Sequence, residues 1–125
     1  MMNIEECIDI LIERFPEKIR LLRLCSDEEG NVDVYKFMYW AVFNVLYLLL
    51  SRKDFDEVIK KYCEFIEMMH LDGDDEVRKI MRTSIMKPLE DAEFFINESL
   101  MKFYEFVSQE FKTSYQEEIE ALYYG

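Results

Sequence analysis

Apolar residues recur at intervals of three and four along almost the whole chain, and no run alternates apolar and polar positions for long. That is the period of helices, not of strands. Ile4, Cys7, Ile8, Leu11 and Ile12 make the first stripe. Asn3 stands at its N-cap, and Glu6 completes a capping box. Pro16 suits the first turn of a short second helix, with Ile19 and Leu22 inward and Lys18, Arg20 and Arg23 outward. SDEEGNVD at 26–33 reads as a loop with its turn at Gly30-Asn31. Asp33 is placed to cap the next helix.

That third helix, about 34–52, contains FMYWAVFNVLYLLL at 37–50, which has no charge and a single amide, Asn44. At ~1.5 Å per residue the run covers roughly 21 Å, short of the ~30 Å of a bilayer core. Lys36 and Arg52-Lys53-Asp54 bound it, and 1–10 carries acids where a signal peptide has bases. A buried core helix is the better reading, and a helix apolar almost all round should be surrounded by neighbours. Asn44 then needs a hydrogen-bond partner in the core, or faces a ligand.

Asp54 should cap a fourth helix with Phe55, Val58, Ile59, Tyr62, Phe65, Ile66 and Met69 inward. Lys60 and Glu64 can pair on its wet face, and Gly73 suits a left-handed turn at its end. Asp74 or Asp75 caps a fifth helix carrying Val77, Ile80, Met81, Ser84 and Ile85, which Pro88 ends or kinks. A short helical piece over 91–96 follows. Asn97 is a candidate cap for a long last helix through Phe103, Val107, Phe111, Tyr115, Ile119 and Leu122, with Lys112-Thr113-Ser114 as a candidate break. The expectation is one all-α domain over 1–125, an irregular bundle of six to seven helices around the apolar helix at 34–52.

Composition narrows the setting. Cys7, Cys25 and Cys63 are odd in number and widely spaced, which points to a reducing, cytoplasmic compartment with free thiols. The 27 acids against 15 bases give a net charge of −12, and residues 90–125 alone carry −7. Such a surface repels phosphate backbones and anionic lipids, so nucleic acid and membrane are poor partners and a basic protein is a better one. Acidity also serves solubility alone.

No chemistry-bearing motif emerges. The glycines stand singly, so no nucleotide loop is present. Cys63 and His70 are two helical turns apart, ~10 Å of rise, too far for proton transfer. Asp72-Gly73-Asp74-Asp75-Glu76 lacks calcium-loop spacing, and Thr83 stands at the twelfth place where a bidentate glutamate belongs. These acids fit helix N-terminal charge. The expectation is therefore no enzyme, metal or cofactor. The remaining signal is acid beside tyrosine: Glu117, Glu118 and Glu120 with Tyr123 and Tyr124. Tyrosine supplies rigid contact area and acid steers a basic partner; a frayed terminus is the plainer alternative.

The run KYCEFIEMM, followed by DDEVRKIMRTSIMKPLED, resembles a family of small bacterial helical proteins of unknown function. The likeness rests on Phe65, Glu67 and Met69 at a helix end, the acidic turn with Asp75 and Val77, the close at Leu89 and Asp91, and Phe15-Pro16-Glu17 near the start. The last helix departs from the family pattern in lacking Gly-Pro near its start. Some relatives occur in settings that suggest immunity proteins of toxin systems. The resemblance implies an immunity or antitoxin-like inhibitor of a basic toxin domain, with nucleases as one candidate class, and with Asp72, Asp74, Asp75, Glu76, Glu117, Glu118, Glu120, Tyr123 and Tyr124 as its contact residues. The alternative is a non-catalytic interaction or regulatory module, homodimeric through an exposed aromatic patch.

Overall fold

The computed structural model describes residues 1–92 and 98–124. The short helix expected over 91–96 and the cap at Asn97 fall largely outside them. Within the described residues the chain makes seven helices and no strand. α1 is Ile4–Arg14, and a 3₁₀ turn at Pro16–Lys18 leads into α2, Ile19–Leu24. α3 is a rod of Val34–Met38, a π-helical turn Tyr39–Phe43, and Asn44–Leu50. α4 is Asp56–Asp72. α5 repeats the build of α3, with Asp75–Met81, a π-helical turn Arg82–Met86, and Lys87–Asp91. α6 is Glu98–Phe106 and α7 is Gln109–Tyr123. The all-α bundle expected from the periodicity is thus present.

Local chemistry sets the boundaries. Asn3 accepts from the Glu6 N–H at 2.9 Å, and the Glu6 carboxylate accepts from the Asn3 N–H in return. Asp33 accepts from the Lys36 N–H, and Asp74 from the Val77 N–H. Gly30 turns its loop in the left-handed region at φ +85°. Other boundaries differ from expectation. Asp54 does not cap α4: it takes φ +70°, and Phe55 stands at the N-cap without a side-chain bond. Gly73 is not left-handed but extended, at φ −74° and ψ 152°. The last helix breaks before Ser108, whose hydroxyl caps α7 by accepting from the Phe111 N–H, while Lys112, Thr113 and Ser114 lie inside α7. Lys60 pairs with Glu57, one turn back, instead of Glu64.

α4 packs against α3, α5, α6 and α7, and α5 packs against α1, α3, α4 and α6. The π-helical turns of α3 and α5 lie against each other. The turn in α5 comes just before Pro88, where a regular helix would press the ring onto the carbonyl four residues back. The core these helices enclose includes Leu11, Phe37, Leu46, Phe65, Ile66, Ile80, Leu89, Phe103 and Phe111. Lys18, expected outside, is buried, its ammonium 4.9 Å from the Tyr62 ring centroid and 5.4 Å from that of Phe15. Cation–π attraction offsets part of the cost of drying the charge; burial still lowers its pKa.

Neighbours do not enclose α3. Its inner side, with Phe37, Met38, Ala41, Val42 and Leu46, is buried, but Trp40 is 46% and Leu48 51% exposed. Among the described residues no helix is long and apolar enough to cross a membrane.

Candidate functional site

The turn after α4 and the last helix, forty residues apart in sequence, come together through Arg78, which pairs with Asp75 and stands 3.5 Å from Glu118. The end of α4 and the start of α5 face α7 across a cleft of about 420 Å³ lined by His70, Leu71, Arg78, Ser114, Glu117 and Glu118. One rim is the α4–α5 turn, joined to the cleft by Arg78, which pairs with Asp75 and donates to the Gly73 carbonyl; the other is α7, where Glu117 and Glu118 line the cleft and Glu120 faces a separate groove with Gln116 and Glu117.

A polar network ties the floor of the cleft together. Ser114 Oγ lies 2.9 Å from His70 Nε2. His70 Nδ1 lies 3.2 Å from Glu118 Oε2, yet the two atoms are not aligned for a hydrogen bond, and both are buried without another partner among the described residues. The other oxygen of Glu118 accepts from Arg82 and stands 3.5 Å from Nε of Arg78. Arg78 in turn donates to the Gly73 carbonyl at 2.9 Å and pairs with Asp75. One carboxylate from α7 thus faces two guanidinium groups from α5 and an imidazole from α4. Burial is the largest influence on His70 and lowers its pKa; Glu118 opposes that shift, and Arg78 and Arg82 add to it. The ring is therefore neutral near pH 7. Which of Nε2 and the Ser114 hydroxyl donates depends on the ring nitrogen that carries the proton.

Ser114, His70 and Glu118 share the connectivity of a serine–histidine–carboxylate triad. Their setting differs. Ser114 lies within α7, where the surrounding backbone N–H groups are donated along the helix, so they are not free to hold an oxyanion. The arrangement acts as a brace joining α4, α5 and α7.

The nine contact residues expected from the sequence divide accordingly. Asp74 is engaged as a cap, Asp75 with Arg78, and Glu118 with the arginines. Asp72, Glu76, Glu117 and Glu120 are exposed, and so are Tyr123 at 70% and Tyr124 at 85%. Ser114, Arg78 and Arg82 complete the network and carry no signal of their own in the sequence. Asp75 and Arg78 do stand one helical turn apart, and so do Ser114 and Glu118, but nothing in that spacing joins the two pairs. Among the described residues no group of three His, Cys, Asp or Glu side chains is placed to hold a metal ion.

The helices that build this cleft fall within a single family match, which runs over residues 8–123. The chain belongs to the domain of unknown function family DUF7674. No curated protein and no solved structure matches it. The family match takes in most of the chain, including the 61–91 segment and the whole of α7, so both rims of the cleft belong to the DUF7674 domain.

Proposed function

We propose that this DUF7674 domain is a non-catalytic inhibitor of the immunity or antitoxin kind, acting in the cytoplasm on a basic partner domain. The partner inserts lysine or arginine side chains between the two acidic rims. The observation that carries the reading is that Arg78 brings Asp75 of the α4–α5 turn and Glu118 of α7 together beside one cleft, on which Glu117 is also exposed. Opposed carboxylate rims raise the local concentration of a cationic surface and speed encounter. Exposed Tyr123 and Tyr124 at the end of α7 supply contact area beside them. The brace of buried His70 with half-buried Glu118, Arg78 and Arg82 fixes the spacing of the rims, so little ordering cost remains at binding.

The test is co-expression of the chain with the toxic domain encoded beside it, followed by stopped-flow association of the purified pair. Protection of the cells is expected. The combined Glu76→Lys, Glu117→Lys and Glu120→Lys variant should associate ~10-fold or more slowly in low salt, with the difference shrinking as salt is added. Unprotected cells, or an unchanged association rate, would overturn the proposal.

A further inference from the structure

The outer stripe of α3 is apolar, exposed and free of acid. Tyr35, Tyr39, Trp40 and Leu48 all reach solvent there. Taking about 200 Å² for an aromatic side chain, the four leave on the order of 300 Å² of apolar surface wet. The 17 residues Val34–Leu50 contain no Asp or Glu, in a chain that carries 27. Trp40, Asn44 and Leu48 follow one another at intervals of four and so form a single ridge. Tyr39 and Trp40 open the π-helical turn at Tyr39–Phe43 and are both exposed, while Ala41, Val42 and Phe43 are buried. Asn44 is half-buried between Trp40 and Leu48, and its side-chain amide makes no hydrogen bond among the described residues.

We infer that two copies of this chain pair through this ridge, about a two-fold axis passing at Asn44. Three features favour a second copy over another partner. First, charge: two molecules of net charge −12 repel over most of their surface, and this stripe lets them approach without bringing acids together. Lys36, Arg52 and Lys53 flank the stripe and it holds no acid, so a basic partner meets no counter-charge here. Second, symmetry: ridges spaced by four residues interdigitate at a crossing of roughly −50°. A two-fold at Asn44 then sets Trp40 of one copy near Leu48 of the other. Lys36 and Arg52, the next positions of the same four-residue row, lie beyond the two ends of the contact. Third, hydrogen bonding: an amide offers both donors and an acceptor, so Asn44 satisfies its own symmetry mate. The wet apolar area falls below the roughly 800 Å² per partner of a standard interface. The dimer is accordingly expected to be weak and visible only at micromolar concentration or above. The inference is independent of the inhibitor reading, because it uses a different face.

Trp40 is the single tryptophan of the chain, so its emission reports directly on the stripe. Across a dilution series, sedimentation should show the mass falling from twice 15.2 kDa to 15.2 kDa, and Trp40 emission should shift to the red over the same range. Asn44→Lys and Leu48→Lys should each weaken pairing about tenfold or more with an unchanged helical circular dichroism spectrum. Leu24→Lys, at an exposed apolar position on α2, should leave it unchanged. The wild-type series needs no variant to fold. A mass of 15.2 kDa at every concentration would overturn the inference. So would a dimer whose formation leaves Trp40 emission unmoved, or an emission shift that needs an added basic protein.

Discussion

Burial draws the pKa of His70 below its ordinary 6.5, with Glu118 opposing and the guanidinium groups of Arg78 and Arg82 adding to the shift. In the unfolded chain the same imidazole takes up its proton near the ordinary value. Between the two values the unfolded state binds more protons than the folded one, so stability rises with pH across that window. Its full contribution is present above about pH 6.5 and is lost as pH falls through that value toward the folded pKa. His70→Gln removes the titration. The unfolding free energy of wild type, taken relative to this variant, should therefore increase from about pH 5 to pH 7, with a slope no steeper than about 1.4 kcal/mol per pH unit for one proton. A difference that stays flat in denaturant titrations would mean that the folded and unfolded states protonate His70 alike. Little of this chemistry was legible in the chain. His70 could be measured only against Cys63 on its own helix, whereas the residues that govern it are Ser114 and Glu118 on α7, and Arg78 and Arg82 on α5. Such partners are fixed by how helices pack, which no local spacing encodes. The burial of Lys18 is hidden from local spacing for the same reason: its ring partner Tyr62 belongs to another helix.

At the scale of elements, the joint between α4 and α5 is closely packed. Met2 donates its N–H to the Asp72 carbonyl at 2.8 Å and accepts from the Asp74 N–H at 2.9 Å, so the N-terminus is stitched to this turn. Gly73 sits between, and a Cβ there would lie 2.2 Å from the Met69 carbonyl oxygen and 2.5 Å from a methyl of Val77. The glycine is needed for close approach and not for a left-handed φ, a distinction that its place after a helix does not reveal. Gly73→Ala should destabilise the protein by about 1–3 kcal/mol, the range of overpacking in a filled core, read as a lower denaturant midpoint at constant m-value. A midpoint within error of wild type would show that the backbone moves aside at little cost. Elsewhere the elements were well marked where short-range chemistry decides them. The Asn3–Glu6 box, the Asp33 and Asp74 caps and the buried stripe from Val77 to Ile85 depend on residues three or four apart. The Ser108 break was hidden because Phe103, Val107 and Phe111 keep helical spacing across it. The π-helical turns of α3 and α5 were hidden too, since their extra residue answers to the contact between the two rods.

For the whole molecule, one apolar core under an acidic surface follows from composition and periodicity; the open face of α3 does not. A segment without charge can be enclosed or left for a partner, and its hydropathy is the same in both cases. The thiols report how firmly that core closes. Cys7, Cys25 and Cys63 are all free and buried. Burial pushes the thiols of Cys7 and Cys63 up to about 12, with Asp74 adding to the first and Glu67 and Glu64 to the second. The reactive species is the thiolate, so neither reacts in place, and labelling must wait for opening. Cys7 and Cys63 lie in helices of the main core, α1 and α4, whose exposure requires global unfolding. Cys25 closes α2 beside the 26–33 loop, where a local opening of that loop suffices. With a neutral alkylating reagent, Cys25 should label first. Cys7 and Cys63 should follow together, at a rate that rises with denaturant in step with the unfolding equilibrium. Mass spectrometry of quenched samples resolves the order. Labelling of Cys7 or Cys63 ahead of Cys25 would mean that the α1 and α4 contacts open more readily than the loop, and that the core is not the single cooperative unit its packing implies.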